Sequence, residues 1–360
     1  MKKIFHVFVA MLFVLSCQPR VRFAFDDIEY ITSFGSDERY LPTHTRSVID
    51  LGIDGISSFK IYGPYLIVSS KDDKGQIKVL DKNAPYTLLG SFFPKGNGPG
   101  ELIYPVPAGT FQYQTGEDGT VCAEFSDGTG KIIRFNITES VCEGRTVTEK
   151  VSDAGRLTFE TVDLGEDGIF YKEMSSERDA QIRFIVRDGE KIVTRSMEKL
   201  NAPIIRNKVD DGTRFNVLSG QVFYNPRVKR FAETLGEINA VHMYSLDDSF
   251  AKTFCFGDKL YDFNEIADRD FANRPVTCVS SRAYDDFLVV LYLDGVTERE
   301  FQTDPSWRPS LLLILWDGSE VRKLNIPDRV DSFDVDFETL HIFAFDSDSE
   351  TMYIYDASDV

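Results

Sequence analysis

Tyr65–Lys82 reads YLIVSSKDDKGQIKVLDK, two apolar runs either side of a charged turn that holds Gly75, the second run ending in Asp81. Such a pair around a polar, glycine-bearing turn is the pattern of an antiparallel hairpin. The end of the second run returns along the chain. Val79-Leu80-Asp81 is answered by Arg134-Phe135-Asn136, Val186-Arg187-Asp188, Ser245-Leu246-Asp247, Leu315-Trp316-Asp317 and Ile354-Tyr355-Asp356. Six copies between Asp81 and Asp356 give a mean spacing of 55 residues. A repeat of about that length indicates stacked or radial units rather than one irregular core.

The fold class expected is therefore all-β: a six-bladed β-propeller with four-stranded antiparallel blades. Aromatic residues make up 13% of the 360-residue chain, and the 25 glycines supply turns between strands. Only Tyr261–Asn273 suggests a short helix after the N-terminus. Ser47–Leu51 is a candidate strand that precedes the first full hairpin. A closed ring must hide its seam, and an N-terminal strand that completes the last blade would do so. Blade four is expected to pair Gln221–Tyr224 with Val241–Leu246, blade five Phe287–Leu293 with Leu311–Trp316, and blade six Leu340–Phe345 with Met352–Tyr355. Gly116–Gly119 and Gly165–Gly168, both Gly-Glu-Asp-Gly, should turn the chain into an inner strand.

Met1–Ser16 combines Lys2 and Lys3 with an apolar run from Ile4 to Leu15, followed by Cys17. That run is the core of a secretory signal and falls short of the roughly 20 residues a spanning helix needs. Val14-Leu15-Ser16-Cys17 resembles a bacterial lipobox, which makes Cys17 the expected lipidation site and anchor. The expected organisation is a signal peptide over 1–16, an anchor and linker over 17–43, and the propeller over 44–360. The expected location is the cell envelope, most simply the outer membrane, with the side it faces left open.

The net charge is −18, and with Lys2 and Lys3 removed residues 17–360 carry −20. Nucleic acid is excluded as a partner on that balance, since its binding rests on phosphate neutralisation by Lys and Arg. Lys95-Gly96-Asn97-Gly98-Pro99-Gly100 is no phosphate loop: Pro99 removes a backbone donor, and Pro105 and Pro107 stand where a helix should begin. A turn between two blades is the expected role.

Catalytic signatures are missing. His44, His242 and His341 fall in separate repeats with no His-Glu-x-x-His, and no Gly-x-Ser-x-Gly occurs. Asp346–Glu350 alternates carboxylates, but Thr351 and Ala357 stand where a calcium loop needs glycine and glutamate, so an acidic hairpin turn is expected. No cofactor or metal ligand is assigned. Cys122, Cys142, Cys255 and Cys278 allow three pairings, and four free thiols are favoured for a chain this large.

The lipobox, the Gly98-Pro99-Gly100-Glu101 turn and the closing stretch Leu311–Gly318 through Asp356 together resemble the TolB-like six-bladed β-propeller lipoproteins of Bacteroidetes. The resemblance implies the propeller fold and an envelope location, and carries over no functional residue except Cys17. The expected function is a non-catalytic binding or scaffolding lipoprotein, most simply monomeric, for an envelope protein or glycan. The alternative is a hydrolase or lyase at the mouth of the central channel. The candidate partner surface is basic and aromatic: Arg214, Arg227, Lys229, Arg299, Trp307 and Arg308, in the long gaps expected within blades four and five.

Overall fold

The computed structural model describes residues 24–127, 131–153, 160–175, 180–202 and 217–359. Six small antiparallel sheets follow one another along the chain and form a six-bladed propeller. Blade 1 comprises Ile56–Tyr62, Tyr65–Ser70, Ile77–Asp81 and Leu88–Phe92, and blade 2 Gln112–Thr115, Val121–Ser126, Lys131–Asn136 and Thr148–Asp153. Blade 3 comprises Glu160–Asp163, Ile169–Ser175, Ala180–Arg187 and Glu190–Ile192. Blade 4 comprises Gly220–Asn225, Arg230–Leu235, Ala240–Ser245 and Ala251–Phe256, and blade 5 Pro275–Ala283, Phe287–Thr297, Ser310–Leu315 and Val321–Asn325. Blade 6 supplies Ser332–Asp336, His341–Asp346 and Thr351–Asp356.

The fourth strand of blade 6 is Arg46–Ile49, which pairs antiparallel with Thr351–Asp356 so that Val48 lies opposite Tyr353. The N-terminal strand thus closes the ring, as its position before the first hairpin suggests. Residues 24–43, read from sequence as linker, are also built into the propeller. Ile28–Ile31 adds a fifth, parallel strand to blade 4, and Glu38–Tyr40 does the same on blade 5. Ala24, Phe25 and Leu41 are buried in the cores they cross. This N-terminal girdle covers the outermost edges of three consecutive blades, edges that would otherwise present unpaired N–H and C=O groups.

The repeated Asp or Asn marks the end of the third strand in every blade, and the reason is local. Asp81 Oδ1 accepts the Asn83 N–H at 2.8 Å, and Asp247, Asp317 and Asp356 accept the N–H two residues on in the same way. Each carboxylate closes an Asx turn, which in blades 1, 4 and 5 reverses the chain into the outer strand. In blade 2 Asn136 instead caps the helix Ile137–Glu143 through the Glu139 N–H. Blade 3 turns through Asp188 and Gly189, both at positive φ, the conformation of a type I′ hairpin.

Three sequence expectations need correction. The two Gly-Glu-Asp-Gly turns enter the second strand of their blades, and the first strands line the axis. The stretch Asn225–Asn239 is not a long loop, since it contains the strand Arg230–Leu235, which lies between the two strands expected to pair directly. Asp294–Ser310 likewise contains the end of a strand, to Thr297, and the helix Glu298–Thr303. Elsewhere Phe287 pairs with Leu315 and Phe345 with Met352, as expected. Phe263–Ala267 supplies the short helix expected within Tyr261–Asn273. Lys95–Leu102 is a turn between blades 1 and 2, in which Glu101 accepts the Gly98 N–H and fills the space beside Gly96.

Candidate functional site in the axial channel

A cavity of about 1260 Å³ occupies the axis. The first strands of all six blades contribute to its wall, and the turns that follow them surround one end. Aromatic rings and amides share the lining. The Tyr62 and Tyr113 rings stack at 5.0 Å between centroids, Gln112 and Gln114 flank Tyr113 on its strand, and Gln221 and Asn225 lie on the first strand of blade 4.

Two buried charge clusters back this wall. Between blades 3 and 4, Arg183 Nε donates to both oxygens of Glu233 at 2.8 and 2.7 Å, and the Tyr244 hydroxyl donates to the same carboxylate at 2.9 Å. Arg183 and Glu233 are fully buried, so only this mutual pairing and the neutral donors make their burial tolerable. Lys172 joins them, donating to the Gly220 carbonyl and lying 4.0 Å from Glu160. Glu160 forms part of the cavity wall, and burial raises its carboxyl to about 7, against the opposing pull of Lys172. One Glu160 oxygen is buried without a hydrogen-bond partner.

The second cluster joins blades 5, 6 and 1. Asp334 accepts from Lys60 Nζ at 2.9 Å, from the Tyr284 hydroxyl and from the Ile61 N–H. Lys60 Nζ also lies 4.5 Å from the centre of the Tyr284 ring. Burial lowers the Lys60 ammonium pKa, with Asp334 opposing that shift. Beside them Arg282 reaches from blade 5 to the Phe59 carbonyl of blade 1 at 3.3 Å, and its guanidinium is 5.7 Å from the Phe333 ring of blade 6. It also packs against Gly109 at the entry to blade 2. Arg282 is 3% exposed, makes no ion pair among the described residues, and its Nε has no hydrogen-bond partner there.

The basic and aromatic candidates from sequence are not brought together. Arg227 and Lys229 stand in the turn between the first two strands of blade 4, where they pair with Asp286 of blade 5 and Asp167 of blade 3. Arg299, Trp307 and Arg308 follow the second strand of blade 5, and in an antiparallel meander that is the opposite end of the blade. Trp307 is 6% exposed, donates to the Phe301 carbonyl at 3.0 Å and lies beneath Arg329. Arg308 is occupied by the Pro327 and Pro305 carbonyls, and Arg299 is exposed. Arg214 and Cys17 lie outside the described residues. The described candidates therefore leave from two ends of their blades, and Arg227, Lys229 and Arg308 tie elements of the propeller together.

His242 is buried against Thr253, and neither it nor His44 nor His341 lines the cavity. Among the described residues no group of three or more His, Cys, Asp or Glu is placed to hold a metal ion. Cys122, Cys142, Cys255 and Cys278 are free thiols, and burial raises the thiol pKa of Cys122, Cys255 and Cys278. No helix among the described residues is long and apolar enough to cross a membrane.

No family model and no curated protein matches the chain. Solved structures do. An exported-class protein of Bacteroides fragilis aligns at 10% identity and a TM-score of 0.50 over 91% of this chain and 98% of its own. A member of the DUF4221 family from Bacteroides vulgatus aligns at 13% identity and a TM-score of 0.49 over 88% and 94%. A gluconolactonase of Xanthomonas campestris aligns at 10% and 0.41 over 84% and 86%. Likeness at such identities is one of fold.

Proposed function

We propose that this chain is a lipid-anchored envelope β-propeller of the TolB-like type that binds a glycan in its axial cavity. One observation carries the reading: a cavity of about 1260 Å³ whose wall combines stacked tyrosine rings with side-chain amides. Aromatic faces cover the apolar faces of sugar rings, while planar amides match the paired donors and acceptors of adjacent hydroxyls. Attachment through Cys17 follows from the lipobox, and the description of the Bacteroides fragilis neighbour as exported agrees with it.

The test is a glycan array probed with the full chain in detergent, followed by Tyr113→Ala and Gln221→Ala. Glycan binding weakened by both substitutions is the expected outcome. Binding unaffected by either removes the cavity from the reading. Detergent partitioning of Cys17→Ala tests the anchor independently, because a variant still found in the detergent phase would be held by something other than a lipidated Cys17.

A second reading, hydrolase or lyase chemistry at the channel, has Glu160 in its favour, since a carboxyl raised to about 7 suits proton transfer at neutral pH. Release of reducing ends from a bound glycan, abolished by Glu160→Gln, would decide for it.

A further inference from the structure

Glycan recognition in the axial cavity is the premise here, and the structure allows the ligand class to be narrowed. Lys60 and Arg282 both line the cavity at 8% and 3% exposure, and among the described residues the one carboxylate paired with either is Asp334, which pairs with Lys60. Asp334 is committed to Lys60, Tyr284 and the Ile61 N–H. Arg282 is left with the Ser281 and Phe59 carbonyls, the Ser280 hydroxyl and the Phe333 ring, a set that supplies no formal negative charge.

The corresponding cluster between blades 3 and 4 gives each cation a carboxyl group of its own, Glu160 beside Lys172 and Glu233 beside Arg183. The surplus beside Lys60 is therefore particular to this wall. A buried cation without a counter-ion is costly, and the cost falls when an anion arrives. The glycine at 109 leaves the guanidinium room that any side chain there would take. Of the carboxylates in the cavity lining, Asp286 pairs with Arg227, Asp336 and Glu338 with Lys82, and Glu124 with Arg134, while Asp163 accepts the Gly165 N–H.

We propose that the cavity wall where Lys60 and Arg282 outnumber Asp334 is a subsite for one carboxylate of an acidic glycan, such as a uronic acid residue. The ring of that sugar would lie near the Tyr62 and Tyr113 stack, and the carboxylate would complete the charge balance that the protein leaves open.

The experiment compares trigalacturonate with its carboxyl-reduced, uncharged counterpart and with triglycine, by calorimetry on the full chain in detergent. Trigalacturonate should bind about tenfold or more tightly than the uncharged form, the range of one charge-assisted contact. Lys60→Gln should bring the two glycans to near-equal affinity. Asp334→Asn, which widens the surplus, should shift trigalacturonate the opposite way. Thermal melts identify a variant that fails to fold, and the wild-type comparison needs no variant. Equal affinity for the charged and uncharged glycans would overturn the carboxylate subsite and leave glycan binding standing. Preference for triglycine would assign the carboxylate to a peptide and overturn the acidic-glycan proposal. Failure of all three to bind would overturn both the subsite and, for these glycans, its premise.

Discussion

The guanidinium of Arg282 occupies the space that a β-carbon on Gly109 would need, so an arginine of blade 5 and a glycine at the entry to blade 2 meet across the axis. The two are far apart in sequence, and the glycine's φ is not positive, so its small size is what the contact requires. Gly109→Ala should destabilise the fold by about 1–3 kcal/mol through overpacking. Urea unfolding checks this, and a double-mutant cycle with Arg282→Met should show that most of the loss is coupled to the arginine.

Glu233 is the carboxylate on which Arg183 and Tyr244 converge. Glu233→Gln keeps the shape and leaves Arg183 a buried cation, so a loss of about 3–5 kcal/mol is expected. Denaturant midpoints measured with and without the substitution decide the matter, and a loss below about 1 kcal/mol would mean the pair is not dry.

Glu160 gives a pH signature. Its folded carboxyl is raised to about 7, chiefly by burial, so between its ordinary value near 4.5 and 7 the folded state holds a proton that the unfolded state has released. Stability from this group is present in full below that window and is lost as pH rises through it. Glu160→Gln should therefore become more stable relative to the parent from pH 4.5 to 7, by at most about 3 kcal/mol. A constant difference across the range would refute the assignment.

His242 acts in the opposite sense. Burial holds its imidazole at about 4, so between 4 and its ordinary 6.5 the unfolded state binds the extra proton and stability falls as pH falls. His242→Gln should flatten that acid limb, as read from urea midpoints between pH 4 and 7.

Truncation separates anchor from girdle. Removing residues 1–23 should leave a folded, detergent-independent protein. Removing residues 1–50 strips the outermost strands from blades 4, 5 and 6 and the buried Phe25 and Leu41, each worth about 2 kcal/mol. Self-association through the freed edges is expected, visible by size-exclusion chromatography.

What the sequence discloses is what short range controls. The Asp repeat is legible because each carboxylate acts on an N–H two residues away, and the closing strand because Ser47–Leu51 has no hairpin partner of its own. The strand Arg230–Leu235 was hidden by Arg230 and Glu233, charges that look solvated until Arg183, 50 residues distant, is seen to answer Glu233. The Lys60–Asp334 contact spans 274 residues, and no local pattern announces it. The mistaken basic patch has the same origin: nearness in sequence does not tell which end of a blade a loop leaves from.

Pairing of Val48 with Tyr353 makes the ring's closure depend on residues from the two ends of the chain. Each of blades 1 to 3 can complete its own hydrogen bonding from consecutive strands, but blade 6 cannot have its fourth strand until Thr351–Asp356 exists. Loop closure over some three hundred residues makes that step the one of highest contact order and so the late, slow event in folding. A chain released short of residue 350 should remain an open arc with a protease-sensitive N-terminus. The order of synthesis thus sets when the cavity wall first becomes complete.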